Sequence, residues 1–217
     1  MEALVGAGGW GYFSGGLESY ARGFRFVEIN VSFYRRIPEA TARRWRSRVP
    51  EDFVFALKAN QAITHAGRLR SSARTRTTFA HDLRIARILR SPFVILETPP
   101  GLRFEAAQVA GLRELAEMSE GGPRLGLEAR SYRRGRLPEE LRSAMEDGRV
   151  LDVVDLSRGR RGSRTTSSTH ACSVPAPRTC TSLMTRNCEK STECLGTLCG
   201  PRSPSMGCGC TRTRLGS

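Results

Sequence analysis

The first 157 residues contain no cysteine, and the whole chain of 217 has only three histidines, His65, His81 and His170. A disulfide framework and a zinc-thiolate site are therefore excluded from that part of the chain. Any imidazole chemistry there rests on His65 or His81. No stretch approaches the ~18 apolar residues needed to cross a bilayer, and no basic segment leads into an apolar run near the start. A cytoplasmic protein with no membrane partner is expected. Metal-binding spacings such as His-x-x-x-His, Glu-x-x-His and paired Cys-x-x-Cys are missing, so no metal is assigned and the cofactor is left unknown. No Gly-x-Gly-x-x-Gly stands in a convincing strand-to-helix context. Gly6, Gly8, Gly9 and Gly11 are read as tight-turn glycines, with phosphate contact as the alternative.

Acidic residues are scarce at one end only. Residues 1–157 hold 25 Lys+Arg and 19 Asp+Glu, whereas residues 158–217 hold 10 and 2. More than half of the formal net charge of +14 thus sits in the last 60 residues, together with all seven cysteines. That segment is rich in Ser, Thr, Arg, Pro and Gly with scattered Leu, too little apolar surface to offset chain entropy. It is expected to be a disordered tail, leaving 1–157 as the structured domain.

Within 1–157, short apolar runs alternate with segments of helical spacing about six times. Strands are expected at 3–7, 24–30, 53–59, 93–98, 124–130 and 150–156. Helices are expected at 17–22, 39–48, 72–89, 104–118 and 138–147. Near-continuous Val, Ile, Leu and Phe runs suit parallel strands covered on both faces, and the alternation suits βα units. Pro138 with Glu139 and Glu140 suits a helical first turn, where a missing N–H is harmless and acidic groups meet the positive dipole end. Pattern alone leaves a barrel and an open doubly wound sheet both possible.

Particular residues narrow the choice. VGAGGWGY at 5–12, VEINVSFYRRIP at 27–38, Trp45, VPEDFVFALKAN at 49–60, ITH at 63–65, LETPP at 96–100 and LGLEAR at 125–130 follow one another in a fixed order. In that order and spacing they resemble the YecE-like family, domain of unknown function 72. The resemblance implies an α/β TIM-type barrel of which this chain carries the first five or six βα units. It also implies a distant similarity to sugar isomerases and metal-dependent endonucleases of that fold, and no established activity. A family member would continue past 157 with further strands, the first bearing an Arg-Leu-His-Gly-like segment, which residues 158–217 lack.

In such barrels reactive groups sit at the C-terminal ends of strands. Glu28 and Asn30 end the second strand, Lys58 the third, Glu97 the fourth, Glu128 and Arg130 the fifth and Asp155 the sixth, with Tyr34, Thr64 and His65 on the following loops. Lys58 and Arg130, with Asn30 and Tyr34, are candidate ligand contacts. Glu28, Glu128 and His65 are candidate proton carriers. An internal ion-pair network is the equal alternative for Glu28, Lys58, Glu128 and Arg130. A metal held by His65, Glu28, Glu97, Glu128 and Asp155 is the less favoured reading. His81, in a helical pattern, is expected to face solvent. Trp10, Phe33 and Trp45 are read as core.

Two functions are compatible with this set. The first is an enzyme acting on a phosphorylated or polyhydroxylated small molecule at the barrel mouth. The second is a nucleic-acid-binding or processing barrel using the surrounding arginines, among them Arg35, Arg36, Arg43, Arg44, Arg68, Arg70, Arg74, Arg76, Arg133 and Arg134. A third possibility is a truncated, non-functional product. A shift of one nucleotide between codons of about 158 and 169 accounts for the break, since permitted codons turn 170–174 into Arg-Leu-Phe-Gly. Resequencing codons 155–175 is expected to reveal the phase change; an unchanged frame removes this explanation of the tail.

Overall fold

In the computed structural model of the protein, residues 3–132 and 136–154 are described, together with the backbone of 169–173 and 180–185. Six strands run in chain order: β1 (Ala3–Gly8), β2 (Phe26–Ile29), β3 (Val54–Lys58), β4 (Phe93–Glu97), β5 (Arg124–Glu128) and β6 (Leu151–Asp152). Each pairs in parallel with the next. Between them run α1 (Gly16–Gly23), the short α2 (Val31–Tyr34), α3 (Glu39–Arg46), α4 (Ala73–Leu89), α5 (Ala106–Met118) and α6 (Glu139–Asp147). Sequential parallel strands with intervening helices make a curled half-barrel, the α/β TIM-type architecture expected from the sequence. Among the described residues, no helix is long and apolar enough to cross a membrane.

The period of two along each strand separates two apolar layers. Val27, Ile29, Phe55, Leu57, Val94, Leu96, Leu125 and Leu127 point outward and pack with Leu83, Leu112, Leu115 and Leu141 of the helices. Phe26, Ala56, Ile95 and Val153 point inward, with Leu4, Val54 and Phe93 against them. Each fully buried Leu, Ile or Phe contributes about 1.5–3 kcal/mol relative to exposure. The inner layer is the plug on which the C-terminal mouth stands.

Local devices hold this arrangement. The buried Tyr20 hydroxyl accepts from Ala7 N at 2.7 Å and donates to Phe26 O at 2.9 Å, tying α1 to the first two strands. Ser72 caps α4 by accepting from Thr75 N at 3.0 Å. Ahead of that cap, Arg68 and Leu69 both adopt left-handed backbone, with φ 49° and 56°, which side chains rarely tolerate. Leu69 is fully buried, and its carbonyl lies so close to α5 that a Cβ on Gly111 would stand 1.8 Å from the oxygen.

Three short turns escape the sequence pattern: α2, a π-turn at Ala62–Ala66 and a 3₁₀ turn at Arg130–Tyr132. Each follows a strand end, where too few residues remain to display a period. Beyond residue 157 the described backbone comprises two strands, β7 (Thr169–Ser173) and β8 (Cys180–Thr185). They pair antiparallel with each other, and β8 pairs antiparallel with β1. The edge of β1 away from β2 offers a row of backbone donors and acceptors that an extended segment can satisfy without a large apolar face. Asp155 and the rest of 158–217, including the proposed frame break, lie outside the described residues.

Gly111→Ala is expected to lower stability by several kcal/mol, because backbone rather than a flexible side chain occupies the space. Urea unfolding measures it; a change within about 0.5 kcal/mol would mean that α5 does not approach Leu69 this closely.

Candidate functional site

Parallel register brings the strand ends together. Glu28 pairs across to Gly8 and Ala56, Lys58 to Ile95, and Glu97 to Glu128. The same alternation that sends Phe26, Ala56 and Ile95 inward sends Glu28, Lys58 and Glu97 inward one step further along. Five charged groups, four from strand ends and one from the 3₁₀ turn after β5, therefore meet above the inner apolar layer: Glu28, Lys58, Glu97, Glu128 and Arg130.

Glu97 is their hub. Lys58 Nζ lies 2.5 Å from its Oε2, and Arg130 Nη1 donates to its Oε1 at 2.7 Å. Arg130 Nε also lies 3.9 Å from Glu128 Oε1. Burial alone would raise the Glu97 pKa, but Lys58 and Arg130 outweigh it and hold the carboxyl below the usual range. For Lys58, burial acts to lower the pKa and is overcome by Glu28 and Glu97, so the ammonium is held above its ordinary value. Lys58 Nζ also sits 5.2 Å from the centre of the Phe33 ring.

Glu28 differs from the other carboxylates. It is buried, and desolvation, with Glu128 and Glu97 nearby, raises its pKa to about 6 against the pull of Lys58. The carboxyl therefore changes charge within the range where proton transfer at neutral pH is useful. Asn30 follows on the same strand end; its Oδ1 is buried and accepts no hydrogen bond, a state that ordinarily costs about 1–3 kcal/mol.

The loop after β3 supplies the histidine. Asn60 is pinned three ways: its N donates to Asp82 Oδ2 at 2.8 Å, its Nδ2 to Ser32 O at 2.9 Å, and its Oδ1 accepts from Ala62 N at 3.0 Å. The π-turn that follows carries Thr64, fully buried, and His65. Thr64 Oγ1 and His65 Nδ1 are 2.9 Å apart, and the imidazole meets the Phe33 ring edge-on at 5.0 Å. Burial lowers the His65 pKa, with Glu97 opposing and Arg130 and Lys58 assisting, so the ring is neutral at pH 7.

The structure thus gathers Glu28, Lys58, Glu128, Arg130 and His65 around Glu97. Tyr34 stands apart: 71% exposed, its ring edge-on to Phe33 at 5.0 Å. Glu97 was legible as a strand end, but its role as the shared partner of two cations was not. Asp82 was missed altogether, because a lone acid in a helical pattern reads as solvated. It is instead buried, desolvation raises its pKa to about 7, and it receives the Asn60 amide. His81 beside it is half-buried rather than solvent-facing, its Nδ1 3.6 Å from Asp82 Oδ1. The packing of Asp82 beneath Asn60 brings its helical neighbour to the edge of the same buried region. Trp10 and Trp45 pack edge-on at 5.1 Å and are partly buried. Among the described residues, no group of three or more His, Cys, Asp or Glu is placed to hold a metal ion.

Comparison with known proteins follows the same outline. A family model described as "Protein of unknown function DUF72" matches residues 13–190. The chain belongs to the DUF72 family. The match runs beyond residue 157 and includes the positions of β7 and β8. No curated protein sequence gives a match. The chain is similar to the crystal structure of a DUF72 family protein from Enterococcus faecalis, at 19% identity and TM-score 0.53, covering 65% of this chain and 59% of that one. It is also similar to a DUF72 family protein from Thermotoga maritima, at 22% identity and TM-score 0.49, covering 63% and 53%. A more remote likeness, to endonuclease IV from Thermus thermophilus, has 14% identity and TM-score 0.42 over 64% of this chain and 58% of that one. The chain spans between half and three fifths of the length of these solved proteins. At these identities the likeness to the DUF72 structure of Enterococcus faecalis shows the fold alone.

The Glu28 pKa gives a pH prediction with a definite sign. A folded-state value of about 6 against 4.5 unfolded means that the native state keeps a proton the unfolded chain has lost. Stability from this group is complete below about pH 4.5 and falls by about 2 kcal/mol as pH rises through 6. Urea midpoints between pH 4.5 and 7 should show a shallower fall for Glu28→Gln than for the wild type. Parallel curves would mean that Glu28 is ionised normally.

Proposed function

We propose that the mouth of this DUF72 half-barrel is an acid–base site for a polyhydroxylated small molecule, with Glu28 carrying the proton and His65 as its neutral counterpart. The observation that carries this reading is the buried Glu28 carboxyl, with a pKa of about 6, at the C-terminal end of a barrel strand beside Lys58. Perturbed titratable groups in such positions mark functional sites more often than chance.

The charges argue for a hydroxylated rather than a strongly anionic ligand at this point. Both cations are engaged by Glu97, and the three glutamates outnumber them once Glu28 ionises. Lys58 has three N–H donors and Arg130 five, so each retains donors beyond those given to Glu97. Those donors, the carboxylate oxygens and the unpartnered Asn30 Oδ1 form a mixed set suited to adjacent hydroxyls, which both donate and accept. Lys58 and Arg130 then act as orienting hydrogen-bond donors, Glu97 holds them in place, and Glu128 borders the same cluster. His65 Nε2, which makes no hydrogen bond among the described residues, is the imidazole nitrogen available to a ligand.

Thermal unfolding with a panel of sugars and polyols, and their phosphorylated forms, tests the reading. A ligand at a hundred times its Kd stabilises by about 2.7 kcal/mol, which corresponds to a Tm rise of about 5–10 °C for a chain of this size. The rise is expected for a hydroxylated compound and should shrink in Asn30→Ala and in Glu28→Gln. A panel without any shift, or a shift unaltered by both substitutions, would sink the proposal.

A further inference from the structure

Beside the mouth lies a second feature that the acid–base reading leaves unused. Tyr34, Arg35, Arg36, Asn60, Thr78 and Arg74, with Ala62, Ala73 and Thr77, line an open groove of about 590 Å3. That volume falls within the range of small-molecule sites. Its floor is built rather than incidental. Asn60 is 8% exposed and fixed by its three hydrogen bonds, and Asp82 beneath its amide is 2% exposed.

The rim is strongly basic and its arginines form no ion pairs among the described residues, although the Arg36 charge also acts on the buried Asp82 carboxyl. Elsewhere on this surface several arginines are matched to carboxylates, Arg25 with Asp52, Arg48 with Glu18, Arg90 with Glu51 and Arg113 with Asp147 among them. Others, such as Arg22, Arg44 and Arg149, stand singly among the described residues; what distinguishes the groove is that three such arginines line one concavity. Arg35, Arg36 and Arg74 are exposed, and among the described residues none of them pairs with a carboxylate within ion-pair distance. Three guanidinium groups around one groove repel one another unless an anion joins them, and their planar forks suit phosphate oxygens.

Tyr34 adds a second kind of contact. Its ring is braced edge-on by Phe33, which is itself held between Lys58 and His65. The phenol is nevertheless 71% exposed. A braced aromatic face in water beside cations suits a planar ring carried next to a phosphate. Arg35 follows in extended backbone, φ −150° and ψ 154°, and Ile37 two residues on is buried, which fixes the course of the chain along the rim.

We propose that this groove binds a nucleotide unit, with its phosphate on Arg35, Arg36 and Arg74 and its base stacked on Tyr34. The site is independent of the acid–base chemistry at the mouth, and its ligand is either a free nucleotide or one unit of a single strand.

Fluorescence anisotropy with the full chain tests it, using fluorescein-labelled oligothymidylate of twelve residues and thymidine monophosphate as competitor. The oligonucleotide should bind with a log–log salt slope of about −0.7, the value for one neutralised phosphate on a single strand. Arg35→Gln/Arg36→Gln/Arg74→Gln should abolish that binding. Tyr34→Ala should weaken it about 5- to 150-fold, the range for loss of one stacked base, while Tyr34→Phe restores it. Glu28→Gln should leave it unchanged, which separates this site from the mouth. If the monophosphate competes as well as the strand per nucleotide, the ligand is a free nucleotide; affinity rising with strand length identifies a polynucleotide. Absence of binding by both probes overturns the proposal. So does an equal loss in the charge-matched control Arg22→Gln/Arg44→Gln/Arg149→Gln, or binding indifferent to Tyr34→Ala.

Discussion

Glu97 sits where two cations from neighbouring strand ends converge, and the chemistry of the mouth depends on that convergence. Lys58 and Arg130 are largely withdrawn from water, and each would be costly to bury without a partner. One carboxylate, reached at 2.5 and 2.7 Å, satisfies both. Glu28 lies in the same cluster, where burial, with Glu128 and Glu97 nearby, outweighs the pull of Lys58 and raises its pKa to about 6. The unusual proton affinity of this glutamate comes first from its burial and then from the carboxylates beside it.

The inner apolar layer makes this possible. Phe26, Ala56, Ile95 and Val153 close the space beneath the cluster, so the charged groups stand on a dry floor and face one another rather than bulk water. Outside the sheet, the larger core of strand and helix side chains holds the register that brings Glu28, Lys58, Glu97 and Glu128 together at the strand ends. A slip of one residue in any strand would turn its charged end into that outer core.

The loop after β3 connects the two parts of the C-terminal face. Asn60 links Asp82 of α4 to Ser32 of α2, and the π-turn that follows positions His65 against Phe33. Phe33 in turn supports Tyr34 at the basic groove. Mouth and groove therefore share a scaffold, while their charge characters differ: mixed and internally paired in one, basic and, among the described residues, without ion pairs in the other.

The sequence by itself determined the order of strands and helices, because apolar runs and helical spacing are local signals that survive without knowledge of partners. It also placed Glu28, Lys58, Glu128, Arg130 and His65 at strand ends and the loops after them, since in parallel βα units the end of each strand is predictable from the run that precedes it. What only the tertiary structure decided is pairing. That Glu97 serves two cations, that Asp82 is buried under Asn60, and that Arg35, Arg36 and Arg74 line one groove all depend on residues up to 39 positions apart meeting across the sheet and its helices. Burial and proximity set the charge state of each group, and neither is written in the residue's own neighbourhood along the chain.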